Sequence, residues 1–315
     1  MPSFKGFLTD STDSIRMIGL GSGFTDKLKL FGIAFFQSIP NVIRNKLNFA
    51  NAKLNRMTED LYPGLTIKLN GKKYLVPDKT SFEVIQPRYE KFEQAWFQPR
   101  KGDVVVDIGS HIGKYTIEAA AAVGEEGKVI AVEPLLTNFK ILRKNISLNK
   151  LSNVAVFNLA AWHSNCELEF YIGTSSALGG AMKDFGLGKI KVEGTKMDTL
   201  LNRLNIKSVD WIKIDVEGAE YEVLLGLEET LRNSKPRLLI EVFLKNLNSV
   251  RNLLGRIGYN IQSSEIYGEG SGRYVNILCT YNGLEVVSFV GSTDHSFELE
   301  EASGFSKTAR YNTQD

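Results

Sequence analysis

The sequence has little of what usually betrays a function at once. It carries two cysteines in 315 residues, Cys166 and Cys279. That is too few for a disulfide framework, and they read as buried thiols in a reducing compartment. No His/Cys cluster stands at metal-ligand spacing, so no zinc site is expected. No apolar run reaches membrane-spanning length, and the N-terminus lacks the basic-then-apolar layout of a secretory signal. The default location is therefore the cytoplasm. Excess charge of one sign is missing too. Lys and Arg number 38 against 36 Asp and Glu, a net +2, with no basic stripe interleaved with aromatics. Nucleic acid is not an expected partner.

What remains is an ordinary globular composition, 43% hydrophobic and 23% charged, long enough for one α/β domain with extensions. Residues 1–60 read as an N-terminal helical extension. Its segment 28–47 holds the apolar run Leu28 to Phe36, with Lys27, Lys29, Arg44 and Lys46 beside it. It is too short and interrupted to cross a bilayer. It predicts a helix packed on the catalytic domain or a partner, with peripheral contact to a membrane surface as the alternative. Residues 61–100 read as a β-hairpin and a lead-in helix: Asn70-Gly71 between alternating runs calls for a type I′ turn, and an aromatic-rich helix spans about 88–97.

From 101 to 282 strands and helices alternate. Strands are predicted at 103–108, 128–133, 153–158, 209–214 and 237–242, with a late pair near 259–265 and 273–280. Helices are predicted at 113–123, 135–149, 197–204, 219–232 and 246–257. This is the pattern of an α/β fold with a parallel sheet covered by helices on both faces, closed by an antiparallel edge hairpin. The Gly/Ser-rich stretch 173–188 reads as an irregular, functional loop, and 283–315 as a loosely ordered tail.

Three strand ends carry acids: Asp107 before Gly109-Ser110-His111-Ile112-Gly113, Glu133 before Pro134, and Asp215 with Glu217 before Gly218. Acids at the carboxyl ends of parallel strands converge on the crevice where open α/β sheets bind ligands. Gly109 and Gly113 would let backbone approach a cofactor closely. Glu133, twenty residues past Gly113, would accept bonds from ribose hydroxyls, and Pro134 suits the first turn of the next helix. A dinucleotide fingerprint needs glycines where this chain has His111 and Lys114, so a nicotinamide cofactor is disfavoured and a nicotinamide-dependent oxidoreductase is the lesser alternative. Asp107 before the turn suits a cofactor with positive charge, such as S-adenosylmethionine. A cofactor-binding module without chemistry is the other alternative.

The runs Val106 to Thr116, Ala131-Val132-Glu133-Pro134 and Lys213-Ile214-Asp215-Val216-Glu217-Gly218-Ala219-Glu220 resemble the FkbM-type class I S-adenosylmethionine-dependent methyltransferases. The helix segment Leu142 to Asn149 is similar as well, and the likeness covers roughly 100–245. It implies a Rossmann-like seven-stranded methyltransferase sheet and O-methylation of a sugar, glycan, glycolipid or other small hydroxyl-bearing acceptor. His111 stands where many members carry Asn. By position, Asp107, Gly109, Ser110, His111 and Gly113 would line the methionine end, Glu133 and Pro134 the ribose, and Asn158 to Ala160 the adenine. Glu217 is the first candidate for the base that takes the acceptor's proton, followed by Asp215 and His163. A divalent ion between Asp215 and Glu217 is left open. The fourth strand end lacks the Asn/Asp-Pro-Pro-aromatic signature of enzymes that methylate base amino groups.

Overall fold

The computed structural model describes residues 11–38, 55–87, 89–173, 175–176, 179–182, 187–268 and 273–281. Residues 39–47 of the apolar N-terminal segment and the predicted tail 283–315 lie outside them. Helices α1 (Ser11–Gly19) and α2 (Phe24–Ser38) precede a hairpin of β1 (Leu65–Leu69) and β2 (Lys72–Val76). Asn70 and Gly71 take φ of 48° and 81°, the left-handed values a type I′ turn demands. Met17, Leu30, Ile33 and Ala34 pack on Leu65, Ile67, Tyr74 and Val76 of the hairpin, in a cluster that runs on to Ile112 and Ile117. Extension, hairpin and the first nucleotide-type turn thus share one apolar core.

Short helices α3 (Lys79–Val84) and α4 (Lys91–Trp96) lead into the main sheet. Its strands are β3 (Val104–Ile108), β4 (Lys128–Val132), β5 (Val154–Phe157), β10 (Trp211–Ile214), β11 (Arg237–Phe243), β12 (Tyr259–Tyr267) and β13 (Tyr274–Tyr281), in the order β12-β13-β11-β10-β3-β4-β5. The first five are mutually parallel, and β13 runs antiparallel to both β11 and β12. The predicted edge hairpin is present. Strand order reverses between β3 and β10, the switch point where ligands bind.

Side-chain alternation sorts the core into two layers. Val106, Ile108, Ile212, Ile214 and Ile240 face helices α7 (Met197–Arg203), α8 (Glu220–Leu225), α9 (Glu228–Asn233) and α10 (Leu247–Ile257). Val105, Val129, Trp211 and Leu239 face Tyr115, Ala119 and Val123 of α5 (Lys114–Val123). Helix α6 (Leu136–Leu148) covers Ala131 through Leu142 and Ile146.

Asn145 of α6 is fully buried and binds the hairpin edge: its Oδ1 accepts from the Leu75 N–H at 2.7 Å, and its Nδ2 donates to the carbonyls of Leu75 and Ile112 at 3.2 and 2.9 Å. Asn145→Ala leaves these backbone groups unsatisfied and is expected to cost about 2–3 kcal/mol, read in a denaturant melt.

Three expectations need correction. Residues 160–196, for which the sequence predicts only an irregular loop at 173–188, hold further strands. They form a second, four-stranded sheet of β6 (Ala160–Trp162), β7 (Cys166–Ile172), β8 (Gly179–Gly180) and β9 (Lys189–Lys196), order β6-β9-β7-β8. Cross-strand ion pairs Lys189–Glu169 and Lys191–Glu167, each at 2.6 Å, hold its exposed face. The helix predicted over 219–232 is two helices, because a side chain at Gly226 would sit 2.1 Å from the Trp162 carbonyl and the chain turns there. Asp198 restarts it, accepting from the N–H groups of Glu229 and Thr230 at 3.0 Å. Finally, only Cys279 is buried; Cys166 is exposed on β7.

Candidate active site

A cavity of about 1130 Å³, solvent mouth included, opens at the carboxyl edge of the sheet beside the switch point. Asp107, Gly109, Ser110, His111, Glu133, Pro134, Ala160, Asp215 and Glu217 all line it. The sequence-derived set is therefore largely brought together.

Two members act differently from the expectation. The amides of Gly109 and Ser110 are both donated to the Val132 carbonyl, at 3.1 Å, so neither is left for a ligand. Gly109, at φ 81°, is required by the chain instead: a Cβ there would lie 1.7 Å from the Asp215 carbonyl oxygen. Gly113, at φ 99°, lies outside the lining, and a Cβ there would press to 2.6 Å on Leu142.

Asn158 is also outside the lining. Its exposed side chain donates to the carbonyls of Glu133 and Pro134, both at 2.8 Å, so it shapes the turn while Leu159, Ala160 and Ala161 form the wall. His163 is not among the lining residues either. It is 45% exposed, beside the Trp162 ring and 3.8 Å from Glu222.

Glu133 is held rigidly. Oε2 accepts from the His111 N–H at 2.9 Å and Oε1 from the Leu135 N–H at 3.0 Å. Burial lifts its pKa to about 7 despite those bonds. Asp107 accepts from Thr116 Oγ1, and burial raises it to about 6. The neutral His111 ring, its pKa lowered to about 4 by burial, meets Ser176 Oγ at 2.9 Å and Ser81 Oγ at 3.3 Å. Ser176 N–H donates to Asp78 and its carbonyl accepts from Asn138, which ties this residue to the cavity wall.

Beside Asp107 and Asp215 stand residues for which the sequence predicts no role. Lys213, buried in β10, lies 3.3 Å from Asp215 and 5.1 Å from the centre of the Tyr115 ring. Burial opposes its charge, yet Asp215, Glu90, Glu241 and Asp107 together raise its pKa. Glu90 accepts from Lys114 at 2.8 Å and from Tyr115 at 3.0 Å; burial opposes its charge, and the two lysines hold its pKa low.

Glu241, only 8% exposed, lines the cavity with no hydrogen bond to its carboxyl from any described residue. Burial, then Asp215 and Glu217, push its pKa well up. Carboxylate oxygens of Glu90, Asp215 and Glu241 lie within 4.8 Å of one another, a set that could share a cation. The ammonium groups of Lys114 and Lys213 already serve Glu90 and Asp215 there.

Six carboxyl groups line the cavity against two ammonium groups. That balance fits the sulfonium and amino group of S-adenosylmethionine and repels a pyrophosphate. Glu133 and Pro134 line the cavity together with the apolar side chains of Leu159, Ala161 and Phe170.

The chain is similar to known methyltransferases. Residues 107–261 match the methyltransferase FkbM domain. Over 165 residues the chain is 25% identical to the probable cobalt-precorrin-6B C(15)-methyltransferase (decarboxylating) of Sulfurisphaera tokodaii, covering 52% of this chain and 67% of that protein. Over 146 residues it is 26% identical to Methyltransferase 1 of Beauveria bassiana, covering 40% of this chain and 58% of that one. A crystal structure of a methyltransferase FkbM from Methylobacillus flagellatus aligns over 85% of this chain and 58% of its own, at 15% identity and a TM-score of 0.43. By the family match, residues 107–261 are a methyltransferase FkbM domain.

Proposed function

We propose that the chain is an S-adenosylmethionine-dependent O-methyltransferase whose acceptor is a hydroxyl group of a small polar molecule, in the first place a sugar of a glycan or glycolipid. The observation that carries this reading is one cavity whose lining brings Glu133, Asp107, Asp215, Glu241 and Lys213 together. The cofactor, when bound, supplies an electrophilic methyl group. The protein's share of the work is to align the acceptor oxygen and receive its proton.

Asp215, half-buried just after the fourth parallel strand, would orient the acceptor, with Lys213 fixing its carboxylate. Glu241, unpaired and made basic by burial, is placed to take the proton. Tyr89 and Tyr115 line the cavity beside the carboxylates, a mixture suited to a hydroxyl-rich ligand. Glu217 sits at φ 53° by the cavity wall, next to Gly180. It remains a candidate base behind Glu241.

Binding tests come first. Calorimetric titration should show S-adenosylmethionine and its demethylated product binding and NAD failing to bind; tight NAD binding instead would favour the oxidoreductase alternative. Glu133→Ala is expected to raise the S-adenosylmethionine Kd about 100-fold, since charged hydrogen bonds contribute about 1.5–3 kcal/mol each and two backbone amides lose their acceptor. An unchanged Kd would remove the ribose assignment. For the acceptor, glycans and lipids incubated with enzyme and methyl-labelled cofactor should gain label on oxygen. Label found on RNA, or no transfer to any acceptor despite cofactor binding, would refute the O-methylation reading.

A further inference from the structure

Helix α2 presents a second surface, remote in chemistry from the cavity. Phe24, Leu28, Phe31 and Phe35 recur at steps of four and three residues, which sets them on one stripe of a helix. They are 84, 59, 55 and 57% exposed, while Leu30, Ile33 and Ala34 on the opposite side are buried against the hairpin. Core packing therefore accounts for one face of α2, while Phe24, Leu28 and Phe31 on the other are exposed.

Charge is sorted around that stripe. Asp26, the one acid of α2, turns inward to Ser22 Oγ at 2.6 Å and to the Thr66 N–H at 3.0 Å. Lys27 beside the stripe is exposed, and Lys29 reaches the Pro63 carbonyl. From Lys27 to Thr58 the sequence contains no acidic residue and six basic ones: Lys27, Lys29, Arg44, Lys46, Lys53 and Arg56.

We propose that α2 docks the protein on an anionic lipid surface, its aromatic stripe lying in the headgroup boundary and the exposed Lys27 beside it facing lipid phosphates. Aromatic and aliphatic rows flanked by cations bind interfaces in this way, and two modest signals, apolar and electrostatic, act together. A second copy of the chain is the weaker occupant, because a twofold contact would set this acid-free run against itself. No helix among the described residues is long and apolar enough to cross a membrane, so the contact is peripheral.

The test uses the full chain and co-sedimentation with vesicles of phosphatidylcholine alone or mixed with phosphatidylglycerol. The wild type is expected to pellet with the mixed vesicles, weakly with the neutral ones, and less as salt rises. Leu28→Asp with Phe31→Asp is expected to lower the partition coefficient about tenfold or more. Its melting temperature and cofactor Kd should stay at wild-type values, which shows that the loss is not misfolding. Lys27→Glu should weaken binding to the mixed vesicles only. The proposal is overturned if the wild type stays in the supernatant with both vesicles, or if the double variant binds as well as wild type. It is equally overturned if light scattering shows a dimer that Phe31→Asp dissociates while vesicles capture nothing.

Discussion

Gly109→Ala is expected to destabilise the protein by about 3–5 kcal/mol and to abolish measurable cofactor binding. Left-handed backbone costs an alanine roughly 1–2 kcal/mol, and forced overpacking about 1–3 kcal/mol more. The clash here is unusually rigid. The added Cβ would meet the backbone oxygen of Asp215 at 1.7 Å, and that carbonyl belongs to the chain just after β10, so no rotamer change can relieve it. Either the β3 turn or the β10 end must move. Moving the turn breaks the bonds of Gly109 and Ser110 to Val132; moving the other displaces Asp215 and loosens its contact with Lys213. A thermal melt should fall by roughly 10 °C, at about 2–4 °C per kcal/mol for a domain this size, and calorimetry should lose the cofactor isotherm. Gly113→Ala is a useful contrast. Its Cβ would meet only the flexible end of Leu142, so stability should drop while the cavity lining stays intact. If Gly109→Ala melts like wild type, the close approach of the two strand ends is not what the glycine serves.

The same strand ends show how much of the site was legible beforehand. Asp107, Glu133 and Asp215 close three apolar runs, and in a parallel sheet a strand's end fixes which edge its last residue joins. Lys213 and Glu241 carried a signal too: each is a lone charge in a strand otherwise buried, in Trp211–Ile214 and Leu238–Phe243. Register pairs Lys213 with Asp107, and alternation sets Glu241 on the face of Leu239, the same α5 face as Trp211 and Val105. Glu90 and Ser176 could not be found this way. They arrive from the lead-in helix and from the second sheet, and nothing local in either segment encodes where it docks. That second sheet escaped notice because its strands bury little. Its alternation lies in the ion pairs Glu167–Lys191 and Glu169–Lys189, a polar signature instead of an apolar one. The pairing of α2 with the hairpin was readable from the apolar side chains, whereas its second, exposed stripe stood out only once burial separated the two faces.

Glu241→Gln is expected to lower kcat by about 10²–10⁴-fold, the usual worth of a positioned proton acceptor, while the S-adenosylmethionine Kd stays within about twofold of wild type. Glutamine keeps the shape and removes only the basicity. Two further readouts distinguish a proton acceptor from a structural residue. The first is the pH profile. Burial, with Asp215 and Glu217 adding their charges, holds the Glu241 pKa above the ordinary carboxylate range, so the acidic limb of the wild-type kcat profile should sit correspondingly high. Activity rises as the group loses its proton, and the limb should vanish in the variant. The second is stability. A carboxyl whose pKa is higher in the folded chain than in the unfolded one favours the native state only while protonated, so its effect turns unfavourable as pH climbs from the unfolded value through the folded one. Glu241→Gln should therefore melt at or above wild type at alkaline pH, with no gain in acid. An enzyme made more stable and far slower by one buried substitution is the expected signature of a group held against its own solvation preference for the sake of reactivity. If instead Glu241→Gln retains wild-type kcat and Glu217→Gln does not, the proton goes to Glu217, and the unpaired carboxyl on β11 serves only to set the charge of the cavity.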